Sequence, residues 1–493
     1  MSPNTQEAVR AVSAARHEPH DAILDRAFSR ITGSEPVDGN RVRLLKDAGE
    51  NYPAWLDAIA RAERTVHFEN YIVADDEVGG RFARALAEQA RRGVRVRFLH
   101  DWWGSLGRAS RAFWSRLEEA GVEVRTFNRP QFSSPLACLR RDHRKVLTVD
   151  GEVAFVSGLC LAGSWLGDPA AGVAPWRDTG VELHGPAVAD VDLAFAETWE
   201  RSGGRLPPEE RRPAVPTSAA AGPVRVRVVR GRPGQLSTYR LDQLIAAAAR
   251  RSLWLTDAYF VATTAYVQAL TEAARDGVDV RLLVPGSNDV PAVQTLARSG
   301  YRPLLEAGIR IFEWNGSMLH AKSAVCDGRW ARIGSTNLNL ASWLTNWELD
   351  VTVEDARFAQ EMEDTYLEDL EGATEIVLDA RQRVHPSAEA PAPLARQRHP
   401  GSGARIAAGA VGLGSTAGAA ITGSRPLSAT EGRVVAKIGL TFLAVGLLVG
   451  LFPRALVFPL AGVLLWLGCG LLLRAWRLRR GGAGLDPGQH RPH

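Results

Sequence analysis

Cysteine is scarce in this chain: four in 493 residues, at 138, 160, 326 and 469. They show neither metal-ligand spacing nor the density of a disulfide framework, which points to a reducing compartment for the globular part. An apolar segment is missing from the N-terminal stretch MSPNTQEAVRAVSAARHEPHD, so it does not read as a signal peptide. A strong charge of one sign is missing too: the formal net charge is +4, with a pI near 9. That mild basicity fits an anionic partner, lipid headgroup or nucleic acid, without choosing between them.

The C-terminus, by contrast, carries two charge-free runs, 438–452 and 455–473, separated by Pro453-Arg454. The second is 19 residues long, enough for a helix to cross a hydrocarbon core of about 30 Å. The first reaches that length if Val434 to Ala436 join it and Lys437 snorkels. Arg433 and Lys437 precede the pair and Arg474, Arg477, Arg479 and Arg480 follow it, so the positive-inside rule puts both ends in the cytoplasm. A multi-pass anchor in the cytoplasmic membrane, with the rest of the chain on the cytoplasmic side, is the expectation. The alternative is a buried or re-entrant helical pair.

The length exceeds one ordinary core and predicts two domains plus extras. Residues 205–222, LPPEERRPAVPTSAAAGP, read as a linker, and residues 384–432 as a tether rich in Ala, Gly, Pro and Ser. The expected organisation is a polar tail (1–20), a first domain (21–204), the linker, a second domain (223–380), a flexible tether (381–433), the membrane pair (434–474) and a basic tail (475–493).

The two blocks share an internal order. Each starts with an apolar run (TVHFENYIV from Thr65, SLWLTDAYFV from Ser252), followed by an amphipathic helix (FARALAEQARR, YVQALTEAARD). A strand after Gly comes next (GVRVRFL, GVDVRLLV), then a helix and a strand after Ala-Gly (AGVEVRTF, AGIRIFEW). Alternating strands and helices predict an α/β fold of two similar halves, mixed sheets flanked by helices.

Each block then delivers the same segment: HRKVLTVDG at 143–151 and HAKSAVCDG at 320–328. Both read as a strand entering an Asp-Gly hairpin turn. Alternation puts His143 with Lys145, and His320 with Lys322, on one face of their strands. Joined at one site, two lysines favour an anion such as phosphate. Two histidines allow one to attack while the other protonates the leaving oxygen. Asp150 and Asp327 sit before Gly, where Asp is favoured for turn formation alone, and either that or direct chemistry explains them. Downstream acids, Asp178 in PWRDTG and Glu348 in NWELD, are candidates to orient the imidazoles, or else ordinary surface acids. The run Arg140-Arg141-Asp142-His143-Arg144-Lys145 is either a patch that draws in anionic headgroups or a solvated basic face.

The paired H-x-K-x4-D motifs resemble the signature of the phospholipase D superfamily, and ENYIV, PWRDTGVELHGPAV and the second motif's Gly334-Ser335-Thr336-Asn337 resemble its bacterial cardiolipin synthase branch. The similarity spans roughly residues 40–370. It implies two phospholipase D-like halves with a site at their junction, no cofactor, no metal, and a phosphohistidine intermediate. It further implies that His143 is the nucleophile and His320 the general acid, an order the residues themselves leave open. Lys145, Lys322, Ser335 and Asn337 would bind phosphate oxygens, and Asp178 and Glu348 would support the histidines. One position departs from the pattern: the first copy reads Ser157-Gly158-Leu159-Cys160, with Cys160 where Asn is expected. A thiol is a weaker donor than an amide.

The resemblance implies a membrane-associated phosphatidyltransferase acting on phospholipids such as phosphatidylglycerol. A phospholipase D hydrolysing the same bond, a phosphodiesterase on nucleic acid, and a non-catalytic lipid-binding relic are the alternatives.

Overall fold

A computed structural model describes residues 18–130, 140–207, 210, 221–287, 291–379 and 383–387, with isolated helical positions at 440, 443, 462, 465, 466, 468 and 469. Most of the predicted linker, the tether, the proposed membrane pair and the basic tail lie outside the described residues. Among the described residues no helix is long and apolar enough to cross a membrane. Residues 1–127 and 141–413 form one compact unit, and 128–140 and 414–493 belong to a second.

The first half contributes β1 (Val37–Lys46), β2 (Thr65–Asn70), β3 (Arg95–Asp101), β4 (Glu123–Phe127), β5 (Lys145–Val149), β6 (Val153–Ser157) and β7 (Thr179–His184). The second contributes β8 (Val224–Gly231), β9 (Ser252–Thr256), β10 (Asp279–Pro285), β11 (Arg310–Trp314), β12 (Ser323–Cys326), β13 (Trp330–Gly334) and β14 (Glu348–Glu354), then β15 (Ala373–Leu378) and β16 (Val384–Pro386). All sixteen form one sheet, in the order β16-β15-β11-β10-β9-β12-β13-β14-β8-β1-β7-β6-β5-β2-β3-β4. From the central antiparallel pair β1–β8, the same order of equivalent strands runs outward on both sides. In each half three strands pair in parallel (β2, β3, β4; β9, β10, β11), as the repeated strand–helix pattern predicts.

The predicted helices pack by their apolar faces. Helix Glu77–Arg91 buries Val78, Phe82 and Leu86, one residue per turn, and the Asp76 carboxylate caps it by accepting the Gly79 amide at 3.0 Å. Helix Thr264–Arg275 buries Tyr266 and Leu270 and is capped by Thr263, whose hydroxyl oxygen accepts the Tyr266 amide at 3.2 Å.

Both Asp-Gly hairpins form. Asp150 and Gly151 have φ of +55° and +67°, and Asp327 and Gly328 +55° and +64°. Two successive residues at positive φ are the central pair of a type I′ turn, which Asp-Gly tolerates, and the Glu152 and Arg329 amides close the turns on Val149 O and Cys326 O at 3.0 and 3.2 Å.

Candidate active site

Two short bridges stitch one half to the other: Asp142 pairs with Trp347, and Arg177 with Leu319. In the first, the His143 amide donates to Trp347 O at 2.8 Å and the Trp347 amide to Arg141 O at 2.7 Å. In the second, the His320 amide donates to Arg177 O at 2.7 Å and the Arg177 amide to Met318 O at 2.8 Å. Each bridge sets a histidine beside an acid from the opposite half. His143 Nδ1 lies 2.9 Å from Glu348 Oε2, and His320 Nδ1 lies 2.7 Å from Asp178 Oδ2. Ser157 faces Gly180, and Gly334 faces Asp350. Asp178 and Glu348, each two residues earlier, are therefore equivalent positions. Neither half alone contains a complete histidine–acid pair.

A carboxylate only accepts, so each Nδ1 carries the hydrogen and each Nε2 keeps its lone pair. Lys322 Nζ also lies 2.9 Å from His320 Nδ1. A nitrogen that donates to Asp178 cannot accept as well, so the hydrogen bond belongs to the carboxylate. Both lysines are buried, and each ammonium donates back to the carbonyl of its own motif histidine. Lys145 stands 5.2 Å over the Tyr71 ring and Lys322 6.0 Å over Tyr259. The same tyrosines meet His143 and His320 edge-on, at 4.8 and 6.0 Å.

Burial dominates the electrostatics. It pushes His143 down to about 4 against the pull of Glu348, with Lys145 adding to the depression. It pushes His320 to about 3, helped by Lys322 and opposed by Asp178. Burial raises Asp178, but His320, Lys322 and the Trp165 indole N–H outweigh it and hold the carboxyl at about 2. Glu348 is likewise lowered on balance, by His143 and Lys145 against burial. At neutral pH both imidazoles are therefore neutral and both acids ionised. Burial, and then Lys145, bring Lys322 down to about 8 against the pull of Asp178. Two ammonium groups held out of water make the site one that an anion stabilises.

The two acids are supported differently. Glu348 accepts from the Ser335 hydroxyl at 2.5 Å on Oε2 and from Asn346 Nδ2 at 3.0 Å on Oε1. Asp178 accepts from Trp165 Nε1 at 2.8 Å and from the Thr179 amide at 2.9 Å. Position 158, equivalent to Ser335, has no room for a side chain: a Cβ on Gly158 would stand 2.1 Å from Asp178 Oδ1. The Trp165 and Trp176 rings flank His320 at 5.1 and 5.7 Å.

The structure thus brings His143, Lys145, His320, Lys322, Asp178 and Glu348 together. Ser335, expected on phosphate, instead gives its hydroxyl hydrogen to Glu348 and accepts the Leu349 amide at 3.0 Å. Asn337 is buried, and its Oδ1 has no hydrogen-bond partner among the described residues. Cys160 is fully buried at the equivalent position. Burial raises its thiol against the lowering pull of Lys145, so it is present as a neutral thiol.

Asp150 and Asp327 lie elsewhere, at the far ends of β5 and β12. Asp150 is seven residues past His143, roughly 23 Å of extended chain. Its carboxylate accepts the amides of Glu63, Arg64 and Thr65 at 2.8, 2.7 and 2.7 Å. The Asp327 carboxylate accepts those of Arg250, Arg251 and Ser252 at 3.0, 2.7 and 3.0 Å.

The basic run is not a surface patch. Arg141, Arg144 and Lys145 are buried, with Arg144 donating to the carbonyls of Ala194 and Glu348 at 2.6 and 3.1 Å. Arg140 alone of the run's basic residues is exposed.

Sequence reasoning missed Trp165, Asn346 and the two tyrosines. Asn346 is the first residue of NWELD, two before Glu348, so proximity to a chosen acid was the available signal. Tyr71 and Tyr259 fall six and seven residues into their duplicated runs, one residue out of step. Trp165 is delivered by a three-residue 3-10 turn, Gly163–Trp165, that leaves no periodic trace. Among the described residues no group of three or more His, Cys, Asp or Glu side chains is arranged to hold a metal ion.

Comparison with known proteins agrees with this geometry. Residues 55–164 and 241–370 match the family described as "Cardiolipin synthase, PLD-like domain". The chain is 35% identical over 375 residues to a cardiolipin synthase of Geobacillus kaustophilus (strain HTA426), covering 74% of this chain and 73% of that one. It is 34% identical over 370 residues to cardiolipin synthase A of Pseudomonas aeruginosa (strain LESB58), covering 73% of each. In fold it is similar to the crystal structure of phosphatidylserine synthase from Haemophilus influenzae, with a TM-score of 0.57 at 14% identity over 71% of this chain and 91% of that one.

Proposed function

The chain belongs to the cardiolipin synthase family of phospholipase D-like proteins, and on that premise we propose that it moves a phosphatidyl group from one phospholipid to the alcohol of another through a phosphohistidine. The observation that carries this reading is the crossed pairing of His143 with Glu348 and His320 with Asp178. It supplies two neutral imidazoles, each with a free Nε2, beside two ammonium groups.

In the first step His143 Nε2 attacks phosphorus and the bond to the departing headgroup alcohol breaks. When the phosphate anion binds, His320 Nε2 takes up a proton from solvent, the anion and Asp178 stabilising the imidazolium, and that proton passes to the departing oxygen. In the second step neutral His320 removes the proton from the incoming hydroxyl, whose oxygen attacks phosphorus and breaks the P–N bond. The diester is restored, His143 is again neutral, and His320 is again the imidazolium of the bound complex, which loses its proton to solvent as the product leaves. Lys145, Lys322 and Asn337 bind the phosphate oxygens, while Glu348 and Asp178 fix tautomer and orientation. Phosphatidylglycerol is the proposed donor and acceptor, and residues 21–204 and 223–380 are taken as the two phospholipase D-like domains.

The charge-free runs 438–452 and 455–473 are proposed to hold the chain in the cytoplasmic membrane, with the catalytic part on the cytoplasmic side. A C-terminal topology reporter that reads outside the cytoplasm refutes this placement.

The test of function is purified protein in phosphatidylglycerol vesicles, with products separated by headgroup. Cardiolipin and glycerol are expected. Phosphatidic acid as the sole product assigns hydrolysis instead.

A further inference from the structure

The loop that follows β3, Asp101-Trp102-Trp103-Gly104-Ser105-Leu106-Gly107-Arg108, presents apolar side chains outward. Leu106 is 55% exposed, more than any other large apolar side chain described before residue 440. Trp102 and Trp103 are half-buried, with ring centroids 5.9 Å apart.

The loop is nonetheless held tightly. The Asp101 carboxylate accepts the amides of Trp103 and Gly104, both at 2.9 Å, and the Arg141 guanidinium lies 4.3 Å over the Trp103 ring. A Cβ on Gly104 would stand 2.1 Å from Tyr71 O and 2.8 Å from the Tyr71 ring, the ring that meets His143 edge-on. Asp101 Oδ2 also accepts the amide of Asp142, the residue before His143, at 2.9 Å. The loop and the His143 segment are thus one rigid piece.

The second half provides an internal control. Its equivalent strand, β10, runs into Gly286-Ser287-Asn288-Asp289, which is small and polar. The shared fold therefore does not require Trp-Trp-x-x-Leu here. Arg108 stands two residues and Arg111 five residues past Leu106. Paired tryptophans, an exposed leucine and adjacent arginines are the side chains that settle at an anionic lipid interface, indoles at headgroup level and guanidinium groups on phosphate.

We propose that the loop Trp102–Arg108 seats on an anionic bilayer surface and delivers the headgroup from that surface to His143. The proposal rests on a phospholipid being the substrate. It differs from the C-terminal pair in role: that pair tethers the chain, whereas this loop sets the depth and tilt of the catalytic site.

The test uses the full chain with Cys138 and Cys469 replaced by Ser, and an environment-sensitive fluorophore on Leu106→Cys or, as control, on Ser287→Cys. With phosphatidylglycerol vesicles the 106 label shifts to the blue and is quenched by spin-labelled lipid, while the 287 label stays aqueous. The 106 response weakens with phosphatidylcholine vesicles or high salt. A 106 label that stays aqueous on vesicle-bound protein overturns the proposal and leaves the patch to a protein partner.

A second arm measures transfer by Leu106→Glu on vesicles and on monomeric short-chain phosphatidylglycerol. A loss of tenfold or more on vesicles, with the monomer rate within twofold of wild type, is expected, and Leu106→Phe retains both rates. Equal loss on both substrates makes the loop structural and overturns the proposal. Failure of the wild-type chain to transfer on either substrate counts against the functional reading alone, because the fluorescence does not depend on turnover.

Discussion

His143 and His320 occupy equivalent places in two similar halves, yet their surroundings are not copies. His143 leans on a glutamate that also holds a serine hydroxyl and an asparagine amide. His320 leans on the shorter aspartate, held by an indole N–H and flanked by two tryptophan rings. Where the second half has Ser335 the first has Gly158, and no side chain fits there. Equivalent backbone with different acid length and different donors fits the two tasks proposed for the histidines. A nucleophile must present one nitrogen along a fixed line, and an acid–base group must exchange a proton with two successive alcohols.

The largest expected effect tests whether the tasks differ at all. His143→Ala is expected to abolish transfer and the phosphoenzyme. His320→Ala is expected to lose about 10²–10⁴ in rate on phosphatidylglycerol, the usual worth of a general acid. With a p-nitrophenyl leaving group, which needs no proton, His320→Ala should still form the phosphoenzyme while His143→Ala does not. Equal behaviour of the two variants on that substrate sinks the division of labour.

Next in size is the missing amide. Asn337→Cys makes the two motifs alike by giving the second copy the residue of the first. If Asn337 steadies a phosphate oxygen in the transition state, kcat should fall by about 10²–10³ with KM little changed. Loss confined to KM would assign Asn337 to ground-state binding instead.

A smaller effect, read as a pH profile, separates the lysines from the histidines. The nucleophile must be neutral, and His143 sits at about 4, so with the p-nitrophenyl substrate, which takes no proton from His320, kcat/KM of the free enzyme falls on the acid side only as pH drops through about 4. The phosphate site needs the Lys322 ammonium, lowered to about 8, so kcat/KM falls again as pH rises through about 8. Lys322→Arg, always charged, should lower the plateau and remove the alkaline limb below pH 10. An alkaline limb that persists in Lys322→Arg assigns it to another group.

Much of this was legible in the sequence because it repeats. The duplicated strand–helix order, both hairpins and the four motif residues His143, Lys145, His320 and Lys322 could be read from side-chain type and spacing. What was not legible depends on the register between the halves. β1, VDGNRVRLLK, alternates poorly and breaks register between Val37 and Asn40 where it pairs with β8. No local pattern announces that it joins the two halves. Residues 205 apart, His143 and Glu348, meet only because the Asp142–Trp347 bridge forms. The basic run at 140–145 misled for the same reason: Arg144 looks like surface until the neighbouring Glu348 and Ala194 carbonyls close over it.

Asp150 and Asp327 are where the halves agree most closely, and they bring the smallest expected change in chemistry. Each carboxylate gathers three consecutive amides at the start of the neighbouring antiparallel strand, β2 or β9, at the end of the sheet remote from the imidazoles. Each also holds φ of +55°, where Ala costs about 1–2 kcal/mol and Asn less. Asp150→Ala or Asp327→Ala should therefore lower the thermal inactivation midpoint, with Asp→Asn intermediate, while kcat of the surviving enzyme stays within a few-fold of wild type. A variant of normal thermal stability with kcat reduced a hundredfold would return these aspartates to the chemistry. The expected result instead explains why both copies of the motif carry an Asp so far from the imidazoles: it fixes the strand that carries Lys, and both halves need that strand held the same way.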